Sequence, residues 1–417
     1  MTQLVITPSY PPVDTSVSLI NIKIIDALER LGVQTIVLTV NTDDTLLPIN
    51  IKLNEIFPSH RKVYRLKTWE QGGALYQGIR AFMRKTPLFN APDYHLLWEL
   101  NAIAHLGSIF RENKIDIIHS ISAPYCSHIV GLFARALMHK PWICHLDDYW
   151  VDQTIFAPKF FNEYAVVNKY LEAICFNLAD IILSTSNEIL DLSRHRYPSS
   201  IQDKYRYLPP SYNPRHYTER KVGQRNNKHR FVFLGKFYKG LREPDNLFAA
   251  IEIIKKKNTA VYKRISVELI GTNAKHYTSM IRERGISEVV SLLEQTDYLT
   301  SMLKMKDADV LIHVGIINER YESDLHISGK LFEYIGANRM ILGITTPKGP
   351  VKDFIANIGG VNCIYHDPQS IANAIIYIVR NYPLVNLRGW KYSHTVDLLY
   401  NVNYVTSKYK ELMMKLT

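Results

Sequence analysis

Short β-rich apolar runs alternate with helix-length amphipathic segments along most of the chain, and after a proline-rich interruption the alternation starts again. The first series reads QLVIT (3–7), VSLINIKIIDALERLG (17–32), TIVLTV (35–40), HLLWELNAIAHLGSIFREN (95–113), IDIIHS (115–120), CSHIVGLFARALM (126–138), PWICHL (141–146), a long helix near 161–178 and ADIILST (179–185). In 17–32, Ile20, Ile24, Ala27, Leu28 and Leu31 recur at three and four residues, the helical period, and Gly32 follows as a stop signal. Residues 198–229 then hold four prolines and many charges, the composition of a linker. The second series reads RFVFLG (230–235), PDNLFAAIEIIKKK (244–257), ISVELIG (265–271), a helix at 274–284, a short strand near 289–292, YLTSMLKMK (298–306) and ADVLIHV (308–314). A strand near 340–344, a helix at 349–357 and PQSIANAIIYIVRNY (368–382) close it.

Strands alternating with helices imply parallel sheets covered on both faces. Two such series imply an α/β protein of two Rossmann-like domains facing an interdomain cleft. The expected bounds are an N-terminal domain 1–200, a linker 201–229, a C-terminal domain 230–394, and a last helix within 395–417 that crosses back to the N-terminal domain. A length of 417 residues suits two cores of roughly 200 residues better than one.

In open parallel sheets, ligands bind beyond the carboxyl ends of the strands. Two loops there stand out, and the first breaks local rules twice. In HISGKLFEYIGANRMILG (326–343), Lys330 stands where a helix begins, at the end of the dipole that repels cations. Glu333 stands among Leu331, Phe332, Tyr334 and Ile335, where a carboxylate is half buried at a cost. A capping box would explain Glu333 only with Ser, Thr, Asp or Asn at position 330. A bound nucleotide diphosphate explains both residues, its diphosphate answering Lys330 and its ribose Glu333. Ser328 reads as the N-cap and Gly329 lets a ligand approach the backbone. The first-turn amides and Lys330 would then hold an anion, and Glu333 could accept both hydroxyls of a ribose diol. The second loop, FLGKFYKGLREP, follows the first strand of the second series. Its Gly235 and Gly240 loosen the turn, while Lys236, Lys239 and Arg242 surround it with positive charge. Arg242 can clamp two phosphate oxygens.

The charge of the chain agrees with an anionic partner. Lys and Arg exceed Asp and Glu by 11. Part of the excess lies in residues 60–85, where Arg61, Lys62, Arg65, Lys67, Arg80, Arg84 and Lys85 face only Glu70, with Tyr64, Trp69, Tyr76 and Phe82 interleaved. That mixture suits either an acidic membrane surface or a surface helix with core aromatics. No signature supports nucleic-acid binding. The four cysteines are scattered without a CxxC pair, and the fifteen histidines lack metal-ligand spacing, so no metal is expected. No apolar run reaches the about 18 residues that a membrane helix needs, and no secretory signal is visible. These features predict a cytoplasmic location, peripheral to the membrane if residues 60–85 bind it.

Several segments together resemble a known family. SGKLFEYIGANRMIL, preceded by DADVLIHV and followed by DFIANIGG, resembles the nucleotide-sugar half of GT-B-fold glycosyltransferases of the family 4 type. GKFYKGLREP resembles the basic loop of that half. IIHSISAPYCSHIVGL, PWICHLDDYW and PSYPP resemble segments of the N-terminal half, and STSNEILDL with YLPPSYNP resembles the segment leading to the interdomain linker. The resemblance spans most of the chain, though residues 41–95 match little, and it rests on the order of the motifs.

It implies transfer of a sugar from a nucleotide-diphosphate sugar to a glycan or lipid-linked acceptor, as in bacterial polysaccharide or glycoconjugate synthesis, without a metal. By that resemblance Glu333 binds the ribose, Lys330 and Arg242 neutralise the diphosphate, and Asp147 or Asp148 lines the sugar side, one of them taking the acceptor proton if the reaction inverts. His128, at the start of a helix, is a further candidate for that side. Two positions depart from the family. Leu325 stands where many relatives carry a second Glu, and VDTSVS stands where many carry a glycine pair. Both departures touch the sugar and acceptor side, so a non-catalytic nucleotide-binding scaffold and a nucleotide-sugar epimerase stay open as other readings.

Overall fold

A computed structural model describes residues 1–58, 60–72, 78, 81, 92, 93, 95–151, 158–217, 227–271, 274–316 and 327–417, except the side chains of 158–165, 274 and 275. The chain forms two units, Met1–Ser211 with Val402–Thr417, and Tyr212–Asn401.

The first unit is built on a seven-stranded sheet with the order β3-β2-β1-β4-β5-β6-β7. Its strands are β1 (Thr2–Ile6), β2 (Gln34–Val40), β3 (Lys62–Leu66), β4 (Ile117–Ser122), β5 (Trp142–Leu146), β6 (Ile181–Ser184) and β7 (Tyr205–Tyr207). All pairings are parallel; Leu4 of β1 lies level with Ile36 on one side and Ile118 on the other. The apolar runs of the central strands are buried throughout, as expected for a sheet covered on both faces. On one face, Trp98, Ala102 and Leu106 of the helix Leu96–Glu112 join Val130 and Ala134 of the helix Cys126–Met138 in the core. On the other face lies the helix Ser16–Arg30, started by Thr15, whose hydroxyl accepts the Ser18 amide at 3.1 Å. Beside it packs the C-terminal helix Val402–Met414. Val405, Tyr409 and Met413 close over Ile24, Leu28, Ile117, Ile143 and Ile181. Burying each such side chain contributes about 1.5–3 kcal/mol, enough to hold a helix with little apolar content elsewhere.

The second unit repeats the scheme with six parallel strands in the order β10-β9-β8-β11-β12-β13. These are β8 (His229–Leu234), β9 (Ile265–Ile270), β10 (Val290–Leu293), β11 (Val310–Val314), β12 (Met340–Thr345) and β13 (Val361–Ile364). In both sheets the direction of winding reverses beside the first strand, between β1 and β4 and between β8 and β11. Ligand crevices form at such points.

The segment expected as a linker divides between the units. Tyr205–Tyr207 is the edge strand β7, and Tyr212–Tyr217 belongs to the second unit, where Tyr212 donates its amide to Tyr400 at 3.0 Å. The expected C-terminal segment also divides, because His394–Tyr400 stays with the second unit, with Tyr400 against Phe332 at 5.1 Å between ring centroids.

Residues 62–66 form strand β3, so this part of the basic stretch is not a surface helix. Some of its charges are engaged internally. Arg61 pairs with Asp26 and Glu29, and Arg65 donates to the Pro11 carbonyl at 2.6 Å, while Lys62 meets Glu112 at 3.0 Å in an exposed pair. Tyr76, Arg80, Phe82, Arg84 and Lys85 lie outside the described residues. Among the described residues, no helix is long and apolar enough to cross a membrane.

Candidate functional site

In the second unit, β8 ends at Leu234 and the chain turns at Gly235, with φ at +151° and its amide on the Ile270 carbonyl at 2.8 Å. Two close approaches require glycine here. A β-carbon on Gly271, after β9, would lie 1.9 Å from the Gly235 oxygen, and one on Gly235 would lie 2.2 Å from Lys330 Nζ. Thus Lys330, from the first turn of the helix Gly329–Gly336, lays its ammonium on the end of β8. The loop beyond Gly235 folds back on itself through paired Tyr238 and Arg242 backbone bonds, both 2.8 Å, around Gly240 at φ +74°. This turn brings Arg242, nearly buried, near Lys330, while Lys236 and Lys239 are exposed on it.

Burial, and then the charges of Arg242 and Lys236, push Lys330 down to about 7. The groups acting on this ammonium are burial and other cations. Such a pocket is stabilised by an anion. It also adjoins the start of a helix, where backbone amides point outward. Ser328 has the extended backbone of an N-cap, and its carbonyl accepts the Leu331 amide at 2.9 Å, but its hydroxyl makes no capping bond among the described residues. Leu325 and its neighbours Asp324 and His326 lie outside the described residues.

Glu333, one turn further, is buried at 7 % exposure. Its carboxylate accepts the Tyr217 hydroxyl, which also donates to the Glu333 carbonyl at 2.9 Å. The Tyr298 phenol stands beside the same carboxylate and is bonded to His216 at 2.9 Å. Gly336 completes the contact, since a β-carbon there would come 2.7 Å from the rings of both Tyr212 and Tyr217. The buried carboxylate is therefore satisfied by phenols from two distant segments. Sequence reasoning missed Tyr217 and Tyr298; the density of tyrosines in the proline-rich stretch was a signal for Tyr217 alone.

In the first unit, Asp147 and Asp148 follow β5. Asp147 is buried; its Oδ2 accepts from Asn21 Nδ2 at 2.5 Å and its amide donates to the Ser122 carbonyl at 3.3 Å. Burial pushes its carboxyl up to about 8, against the Asn21 bond and with help from the charge of Asp148. Asp148 is half buried and so the more accessible of the two. His128 does not reach a surface. It is fully buried, with Nδ1 at 2.9 Å from Ser120 Oγ and its ring 5.4 Å from that of Trp150. Burial first, then His145, drives it down to about 3, which makes it a neutral core histidine. The loop VDTSVS supplies the Thr15 cap, and Asp14 accepts from Asn50 at 3.2 Å.

Residues 21–216 match the model of the family described as Glycosyltransferase Family 4. No curated protein matches the sequence. Solved structures match over the full length. Anabaena HepE in complex with UDP and glucose is 13% identical with a TM-score of 0.62, each chain covered to 100%. Sucrose-phosphate synthase from Thermosynechococcus elongatus is 15% identical with a TM-score of 0.68, covering 100% of this chain and 98% of that one. The E. coli trehalose-6-phosphate protein bound with UDP-2-fluoro glucose is 13% identical with a TM-score of 0.62, and 100% of both chains is covered. At these identities the likeness establishes the fold, which is GT-B.

Proposed function

We propose that this chain, a family 4-like glycosyltransferase of the GT-B fold, moves a sugar from a nucleotide-diphosphate sugar to a hydroxyl of a glycan or lipid-linked acceptor, as polysaccharide or glycoconjugate assembly requires. The observation that carries the reading is the convergence of Lys330, Arg242 and Lys236 beside Gly235, with Lys330 pushed down to about 7. In this reading the diphosphate rests on the amides of Gly329 and Lys330 and on the Lys330, Arg242 and Lys239 side chains. Glu333, oriented by Tyr217, takes the ribose diol. Solved structures of the same fold hold UDP or a UDP-sugar, which supports a nucleotide sugar as donor.

The reaction breaks the bond between the anomeric carbon and the diphosphate and forms one to the acceptor oxygen. Cations already in place stabilise the charge that gathers on the leaving group, so no reorganisation is needed as the bond breaks. On an inverting course the acceptor proton goes to Asp148 or Asp147. Side chains and amides carry the diphosphate charge without a metal, and activity should survive EDTA. A lipid-linked acceptor would place the protein peripherally on an acidic membrane surface, with the exposed Lys67 and Trp69 at the contact. Sedimentation with acidic liposomes at low salt tests that point.

The deciding experiment is calorimetric titration of UDP into wild type and Glu333→Ala, followed by incubation with a panel of nucleotide sugars. Weaker binding in the variant and transfer or slow hydrolysis of one donor are expected. Equal affinity would overturn the site. Binding without turnover of any donor would leave a nucleotide-binding scaffold.

A further inference from the structure

A line of buried polar side chains runs through the first unit from the C-terminal helix to Asp147. The Tyr409 hydroxyl is 2.8 Å from His119 Nδ1, His119 Nε2 is 3.1 Å from His145 Nδ1, and His145 Nε2 is 3.5 Å from Asp147 Oδ1. The two imidazoles are stacked, with centroids 5.3 Å apart and planes within 9°. None of the four side chains exceeds 6 % exposure. His145 Nε2 and Asp147 Oδ1 face each other at 3.5 Å, just short of a formed hydrogen bond, and neither has a hydrogen-bond partner among the described residues. Sheet packing does not require this line, since apolar side chains would fill β4 and β5 at no polar cost.

We propose that Tyr409, His119 and His145 are positioning residues that form one proton-ordered chain, whose direction sets whether Asp147 is a carboxylate or an acid. This rests on the reading of Asp147 and Asp148 as the acceptor-side acids. A neutral imidazole carries one N–H and one acceptor nitrogen, so each ring passes on the direction it receives. With Asp147 ionised, Tyr409 donates to His119 Nδ1, His119 Nε2–H donates to His145 Nδ1, and His145 Nε2–H donates to Asp147. When Asp147 takes a proton, it donates to His145 Nε2, both imidazole protons move to Nδ1, and Tyr409 becomes an acceptor. The phenol proton then loses its partner. Tyr409 therefore favours the first direction, and with it the ionised Asp147.

The other groups facing the line are Asn21 on the helix Ser16–Arg30, Asp148 on the same loop, Thr185 after β6, and Tyr125 and His128 at the start of the helix Cys126–Met138. Burial leads the downward shift of both chain histidines, which keeps the rings neutral as the mechanism requires.

The test is nitrogen NMR of histidine-labelled protein, with His119→Gln and His145→Gln for assignment. In wild type both rings should be neutral from about pH 5 upward, with the proton on Nε2 above the Asp147 midpoint and on Nδ1 below it, the two rings switching together. Asp147→Asn should hold both rings in the Nδ1–H form, because its amide donates to His145 at any pH. Tyr409→Phe, which keeps the ring in the core, should move the midpoint up by about 0.5 pH unit, the worth of one net hydrogen bond. Rings that ignore Asp147, or a midpoint unmoved in Tyr409→Phe, would overturn the inference. The NMR needs no turnover, so a protein inactive with every donor would count against the proposed function alone. In an active enzyme the acidic limb of kcat/KM should move with the midpoint, which mere loss of stability would not do.

Discussion

The Lys330 ammonium lies against the backbone of Gly235, so close that a β-carbon at 235 would sit 2.2 Å from Nζ. The two residues come from different loops of one sheet, and they meet because β8 and β11 are neighbours. Gly235 is thus the floor of the cation site, and its lack of a side chain lets the ammonium settle there.

Gly235→Ala and Gly240→Ala should therefore differ. Both positions have positive φ, and alanine strains either by about 1–3 kcal/mol. Only position 235 touches Lys330; nothing lies within 4 Å of a β-carbon at 240. We expect UDP affinity to fall by about tenfold or more in Gly235→Ala, equal to about 1.4 kcal/mol, and to change little in Gly240→Ala, as read by calorimetry.

Binding of UDP should take up a proton. At about pH 8 Lys330, pushed down to about 7, is mostly neutral, and a diphosphate beside it restores the charge. Binding enthalpies in buffers of different ionisation heat should differ with the sign of proton uptake. Lys330→Met should remove that difference. Equal enthalpies in wild type would show that the diphosphate does not meet this ammonium.

Tyr217→Phe and Glu333→Gln separate the structural and binding roles of the buried carboxylate. Removing the phenol leaves a buried carboxylate oxygen short of a donor, at a cost of about 1–3 kcal/mol in unfolding free energy. Glutamine keeps an acceptor for Tyr217 but loses the charge and half of the acceptor capacity offered to a diol. Urea denaturation should show the larger loss in Tyr217→Phe, and UDP titration the larger loss in Glu333→Gln.

Two buried carboxyls make stability fall as pH rises. Burial, with Asp93 adding, pushes Glu99 up to about 9, and Asp147 stands at about 8. Below their ordinary values both states are protonated. Above them the unfolded chain releases protons that the folded chain keeps, so stability drops from about pH 4 until each folded value is passed. The slope is at most about 1.4 kcal/mol per pH unit for each group. Lys330 acts oppositely above about pH 7, since the unfolded chain then holds the proton. The measurement is therefore the difference between wild type and Glu99→Gln across pH, and the variant should be less sensitive between about pH 5 and 9.

The sequence by itself determined the architecture. Period and apolar content are local properties, and the runs LVI, TIVLTV, FVFL and VLIHV could be read as strands wherever they lay in space. The order of strands, helices and glycine loops was also enough to carry the family resemblance, and Lys330 and Glu333 were conspicuous because each broke a rule of its own helix. Which groups satisfy those residues was decided only by tertiary structure. Tyr217 reaches Glu333 from 116 residues away, Asn21 reaches Asp147 across 126, and Tyr409 reaches His119 across 290. The same structure withdrew His128 into the core and turned Arg61 and Arg65 to internal partners. The physical reason is that burial demands a partner for every polar group but does not say which one. Strand order and the register of the packed helices make that choice; the return of the C-terminal helix was expected from the sequence, but not that it would set Tyr409 against His119.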